Sequence, residues 1–284
     1  MRKISLILLA LSHIFCLTVF LTIVAVSRET PPKPVNTLYI FAHQDDETDI
    51  AAKIASDVIA GKNVFALWIT DGALSAPADV RERESREAMR ILGVPQENLV
   101  FLGYPDMKSI DHLPDIHDKV LNTARKIKPD EITSNAYEGG HIDHDVSSFI
   151  ASVVASELKP NPIHFEFSSY NIYKSVYRVG KLLPREGAKT LYTPLDGEIG
   201  ELRKKATAAF ESQAQALKFY ESFIDKKTLR TRGEQYREAP AHDYLTRPAD
   251  EPLCYETMIK PASSYDTFKK AVAAFIEANK SESE

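Results

Sequence analysis

Cysteine is almost absent. The 284-residue chain has two, Cys16 inside an apolar N-terminal run and Cys254 near the other end. No bond between them is expected, and neither a disulfide framework nor a cysteine-based zinc site can be assembled. An excess of basic charge is also missing. Lys and Arg number 35 against 40 Asp and Glu, the formal net charge is -5, and no basic cluster stands out. This argues against a nucleic-acid partner, because phosphate binding leaves a patch of Lys and Arg. Glycine is sparse at 11 residues and no internal repeat is visible. With 44% hydrophobic and 26% charged residues, the chain has the balance of an ordinary globular protein.

The long apolar run is the first positive feature. Arg2 and Lys3 precede a stretch from Ile4 to Val26 broken only by Ser, His and Thr. A signal-peptide core spans about 7–15 residues, whereas a spanning helix needs about 20. Residues 1–30 are therefore expected to be an uncleaved membrane anchor. The preceding positive charges stay in the cytoplasm, which puts the body outside it. Cleavage after Ala25-Val26-Ser27 is the alternative and would give a secreted or periplasmic protein. Pro31, Pro32 and Pro34 form a stiff spacer. Residues 31–284 then suffice for one large α/β body.

That body alternates between two periodicities. The short apolar run at 37–42 reads as a buried strand, and 64–70, 99–103, 131–136 and 163–167 read as four more strands. Between them lie amphipathic segments at 47–60, 79–92, about 116–127 and about 143–158, with Gly61 and Gly93 as stops. The β-α-β-α order predicts an α/β fold: a mostly parallel, Rossmann-like sheet with helices on both faces. Its ligands would bind at the carboxyl ends of the strands. Beyond Ser169 the pattern weakens. One long helix is expected over 198–223, an irregular polar stretch over 225–252 and a closing helix over 268–278.

Two clusters carry chemistry, each where a strand hands over to a helix. The first is Ala42-His43-Gln44-Asp45-Asp46-Glu47. His43 and Asp46, three apart at the mouth of a sheet, can face one metal ion, while Asp45 can face a water; zinc takes imidazole nitrogen and carboxylate oxygen and keeps a position open in catalytic sites. The plain alternative is that the acidic run caps the positive end of the helix. The second cluster is Gly139-Gly140-His141-Ile142-Asp143-His144-Asp145, with two histidines three apart at the same edge.

These stretches resemble the PIG-L/LmbE family of zinc-dependent N-acetylglucosaminyl deacetylases. The first resembles its AHPDDE signature, with Gln44 where that family has proline. The second resembles its H-x-D-H element. Thr70-Asp71-Gly72, Arg81 with Glu84, Leu92-Gly93-Val94 and Phe101 to Asp106 follow the family order, so the resemblance spans residues 37–168. It implies that His43, Asp46 and His144 hold the metal, Zn2+ by default with Fe2+ or another divalent ion as the alternative. It also implies Asp45 as general base toward a metal-activated water, a protonated His141 supporting the transition state, and Arg81 and Asp106 as substrate contacts. The activity so implied is removal of an acyl group, acetyl first, from a small-molecule or glycan substrate of the N-acetylglucosamine type. An amidase acting on a thiol conjugate or other non-sugar amide is the alternative within the enzyme class. A carbohydrate-binding protein that has lost catalysis is the alternative outside it. Residues 169–284 would shape the pocket.

The remaining polar residues are given structural roles. His112, His117 and His242 are expected in solvent and His164 in the core. Asp143 should orient His141 or cap its helix. Phe65 and Trp68 should be core, and Arg83, Arg86 and Arg90 a solvated helix face.

Overall fold

The five expected strand segments become five strands of one sheet. In this computed structural model, which describes residues 33–281, β1 is Asn36–Phe41, followed by α1 (Ala51–Ile59), β2 (Asn63–Thr70) and α2 (Ala78–Ile91). Then come β3 (Leu99–Tyr104), α3 (Leu113–Ile127), β4 (Glu131–Asn135), α4 (Ile142–Glu157) and β5 (Ile163–Phe167). The anchor or signal segment expected over 1–30 lies outside the described residues.

The sheet order is β3-β2-β1-β4-β5, and all four pairings are parallel. β1 and β2 are apolar on both faces because helices cover both. Along β1, Leu38 and Ile40 enter one apolar layer with Val146, Ile150 and Phe268. Tyr39 and Phe41 enter the other with Ile54, Trp68 and Met89. Strand order reverses between β1 and β4, and a crevice opens at their carboxyl ends, the usual ligand position in such sheets.

The C-terminal part departs from expectation. It supplies a hairpin, β6 (Tyr170–Tyr173) with β7 (Val176–Val179), and then β8 (Leu191–Thr193). The long helix expected over 198–223 is broken into α5 (Gly197–Ala208), a 3-10 turn and α6 (Ala214–Tyr220). Phe210 causes the break: it leaves helical backbone (φ -87°, ψ 66°) to enter the layer that also holds Ala206. The stretch expected to be irregular contains α7 (Lys226–Thr231) and β9 (Glu234–Glu238), and β9 pairs antiparallel with both β5 and β8. The chain closes with α8 (Cys254–Thr257) and α9 (Tyr265–Ser281).

Two histidines expected in solvent are not there. His117 is buried with Nε2 3.1 Å from Glu157 Oε1. His242 sits 2.7 Å from Glu166 Oε2, its side chain only 5% exposed. His112 is exposed as expected, and His164 meets the Ser134 hydroxyl at 2.9 Å. Glu166 is fully buried. Its charge is met by His242 and by Arg237, whose Nε donates to Oε1 at 2.7 Å and whose Nη1 donates to Leu183 O at 2.6 Å. These contacts hold Glu166 below the usual carboxylate range despite its burial. Removing one partner of a buried ion pair strands the other charge. Arg237→Leu is therefore expected to lower stability by about 3–5 kcal/mol, read as a shift of the urea-unfolding midpoint at unchanged slope.

Candidate metal centre

The site begins where β1 runs out of ladder partners. The Ala42 and His43 N–H groups donate to Asp46 Oδ2 at 3.0 and 2.9 Å, so Asp46 closes the strand end. The acidic run is thus not a helix cap: no side-chain cap bond is made by Asp45, and α1 starts only after a short 3-10 turn at Asp46–Asp49. Asp46 Oδ1 turns the other way and lies 3.0 Å from His144 Nε2. His144 stands in the first turn of α4, and Gly140 ahead of it permits a close approach. A Cβ there would lie 2.1 Å from the Tyr170 carbonyl oxygen.

His43, Asp46 and His144 therefore converge. His43 Nδ1 is 3.2 Å from His144 Nε2 and 3.8 Å from Asp46 Oδ2, and all three side chains are buried. Tetrahedral zinc with bonds of 2.0–2.1 Å separates its ligand atoms by roughly 3.3 Å. The donor set, two imidazole nitrogens and a carboxylate oxygen facing one point, fits such an ion.

The other nitrogen of His43 is occupied in a way that suits this. Its Nε2 lies 3.2 Å from Asp143 Oδ2 and 3.3 Å from Asp106 Oδ1. A carboxylate on that side fixes the proton on Nε2 and leaves the Nδ1 lone pair facing the metal position. Asp143 is locked in turn by the Met107 N–H at 2.7 Å and by the Ser109 N–H and hydroxyl. Its carboxylate orients His43 rather than His141. Its backbone N–H donates to His141 Nδ1 at 3.1 Å, and its Oδ2 lies farther from that nitrogen, at 3.7 Å. Asp106, expected to meet substrate, is drawn against His43, and its Oδ1 lies 3.9 Å from His141 Nε2.

Asp45 and Arg81 face each other across the mouth. Arg81 is no surface charge: it is buried, with Nη2 3.2 Å from Asp45 Oδ2. Burial raises the Asp45 carboxyl above its ordinary value, with Arg81 pulling the other way. His141 is pushed down to about 3 by burial and by the neighbouring His43. That shift favours the neutral imidazole, against the expectation of a protonated His141. With Nδ1 accepting from its own helix, its proton sits on Nε2.

A cavity of about 600 Å³ opens above these groups. Much of its wall was missed by sequence reasoning: Asp49, Arg203, Leu217, Tyr220 and Ile224 all line it. Tyr170 packs 5.4 Å from the His144 ring, and Tyr220 stacks on Tyr170 at 5.5 Å. These aromatics lie in stretches of weak periodicity, and no local signal marks them.

A doubly wound α/β sheet with a buried two-histidine, one-carboxylate cluster at its switch point defines the class: an α/β protein with a candidate metal centre. The family model described as GlcNAc-PI de-N-acetylase, PIG-L, matches residues 38–155. Among solved structures, a deacetylase of the teicoplanin biosynthesis pathway is 16% identical with a TM-score of 0.58, covering 72% of this chain and 97% of that one. The zinc-inhibited form of teicoplanin deacetylase Orf2 is 15% identical with the same TM-score and coverage. The N,N'-diacetylchitobiose deacetylase of Pyrococcus horikoshii is 21% identical with a TM-score of 0.50, covering 72% of this chain and 82% of that one. At these identities the likeness is one of fold. No curated protein matches the chain by sequence.

Zinc titration followed by calorimetry is expected to show about one tight equivalent that His144→Ala abolishes. Asp143→Asn, which loosens His43, should weaken it about 10- to 100-fold.

Proposed function

We propose that this protein is a metal-dependent N-deacetylase that cleaves the acetamide of an N-acetylglucosamine-type sugar. The observation that carries the reading is the division of labour between adjacent acids. Asp46 turns back into the cluster with His43 and His144, while Asp45 faces the cavity beside Arg81.

A divalent ion held by His43, Asp46 and His144 supplies Lewis-acid polarisation of the acyl carbonyl and acidifies water. Zn2+ suits two imidazoles and a carboxylate, and Fe2+ fits similar ligands. Asp45 takes a proton from the attacking water as its oxygen bonds to the carbonyl carbon. Neutral His141 donates its Nε2–H to the oxyanion, as a preorganised dipole aimed at developing charge. Its position at the N-terminus of α4 favours this neutral form. Asp45 then returns the proton to the amine nitrogen, the C–N bond breaks, and a carboxylic acid and a free amine leave. Arg81 keeps Asp45 ionised and aimed, and Asp106 contacts substrate from beside His141.

The apolar residues Leu217, Ile224 and Leu229 along the cavity favour, as a second reading, an amidase acting on a non-sugar amide. Acetate release by the full chain from a panel of N-acetylated sugars separates the two. Release is expected to stop on chelation, return with zinc added up to one equivalent, and fall about 10²- to 10⁴-fold in Asp45→Asn. Tight metal binding with no release from any sugar would move the assignment to the second reading. For placement, we read Ile4 to Val26 as a membrane anchor with the body outside the cytoplasm, on the length of the run and on Arg2 and Lys3 before it. Protease added to the outer face of intact cells should then degrade the body and spare the anchor; a body protected until lysis contradicts this placement.

A further inference from the structure

Asp45 does not have the backbone of an ordinary residue. Its φ is 122° and its ψ -18°, a region that a side-chain-bearing residue occupies only when its surroundings impose it. Between Asp45 and Asp46 the chain sends one carboxylate toward Arg81 and the next back to the strand end and His144.

What imposes the conformation is visible. The Asp45 N–H donates to Glu47 Oε2 at 2.9 Å, and the same oxygen accepts the Trp68 indole N–H at 3.2 Å. Glu47 is 1% exposed and Trp68 fully buried. The indole cannot swing away, because it lies flat on Phe101 with ring centres 4.4 Å apart and planes 4° from parallel, and the Arg86 guanidinium sits 4.7 Å from the Phe101 ring centre. A buried carboxylate is costly without a partner, yet among the described residues Glu47 makes no ion pair within 4.0 Å. Its bonds run from the Asp45 N–H and the Trp68 indole N–H, both to Oε2, and its Oε1 has no hydrogen-bond partner among the described residues. Such a group is unfavourable for stability alone, and its position is accounted for by what it holds.

We propose that Glu47 and Trp68 are positioning residues for Asp45. They pin its backbone N–H so that its carboxylate projects into the cavity instead of joining Asp46 in the cluster. The proposal rests on the reading of Asp45 as the general base. It treats Trp68 as more than core: its ring is core, while its N–H serves the site.

The test uses the full chain with zinc at one equivalent. Glu47→Ala is expected to lower kcat about 100-fold on an acetylated sugar that the wild type cleaves, the scale of loss for a misplaced reacting group. KM and zinc stoichiometry should stay unchanged. Glu47→Gln keeps an oxygen that accepts both N–H bonds and should recover most of the loss. Trp68→Phe keeps the stack on Phe101 and should fall between the two. A crystal structure of Glu47→Ala should show residue 45 at negative φ with the Arg81 contact broken. The proposal is overturned if Glu47→Ala keeps its kcat, if Glu47→Gln is as impaired as Glu47→Ala, or if zinc is lost together with activity. Should the wild type cleave no amide, the functional reading fails by itself. The conformation at residue 45 in Glu47→Ala then still decides: a retained φ near 122° overturns the positioning role, and a relaxed one supports it.

Discussion

The carboxylate of Asp46 makes two kinds of bond at once, and the site depends on both. One oxygen terminates β1 by taking the Ala42 and His43 N–H groups, and the other meets His144 at the start of α4. Strand and helix belong to units on either side of the switch point, so this one side chain fixes the distance between the two histidine-bearing loops. The loop after β3 then closes on the same point, because Asp143 of α4 is held by the N–H groups of Met107 and Ser109. Three separate crossings of the sheet are thereby locked to one imidazole, that of His43.

This arrangement separates the electrostatics of neighbouring groups. Asp45, Asp46, Asp106 and Asp143 crowd around three imidazoles with divided partners: Asp45 faces Arg81, Asp46 faces His144, and Asp106 and Asp143 share His43 Nε2. Asp46 is held well below its ordinary range by His144 and His43 in spite of burial, while Asp45 is raised. Adjacent residues in one motif thus differ in proton affinity because the backbone turns them to opposite walls. That difference suits a ligand beside a base.

The parallel core was legible because strands covered on both faces are nearly continuous apolar runs, as in Leu38 to Phe41 or Ala66 to Ile69. The two histidine clusters were legible because ligands and acids lie within a few residues of each other. What escaped depends on partners distant in sequence. His117 and His242 looked like surface residues because Glu157 and Glu166, which bury them, lie 40 and 76 positions away. Strands β6 to β9 escaped because they are short and half exposed, without the apolar continuity of a central strand. The fracture of the helix at Phe210 is a packing decision that no local propensity encodes.

Gln44, which replaces the proline of the family signature, leads to a consequence of another kind. Its Nε2 donates to the Thr70 carbonyl at 2.9 Å. Its Oε1 lies 2.4 Å from where a Cβ on Gly72 would sit, and Arg81 Nε lies 3.1 Å from that same point. Gln44, Gly72 and Arg81 share one small volume, and Arg81 is the counterion of Asp45. A side chain at 72 would meet the Gln44 amide and press on Arg81, and it would also have to adopt the positive φ of 60° that Gly72 holds. Residue 44 thus reaches the cavity wall opposite Asp45 through space it shares with Gly72 and Arg81, although its own side chain bonds to the neighbouring strand.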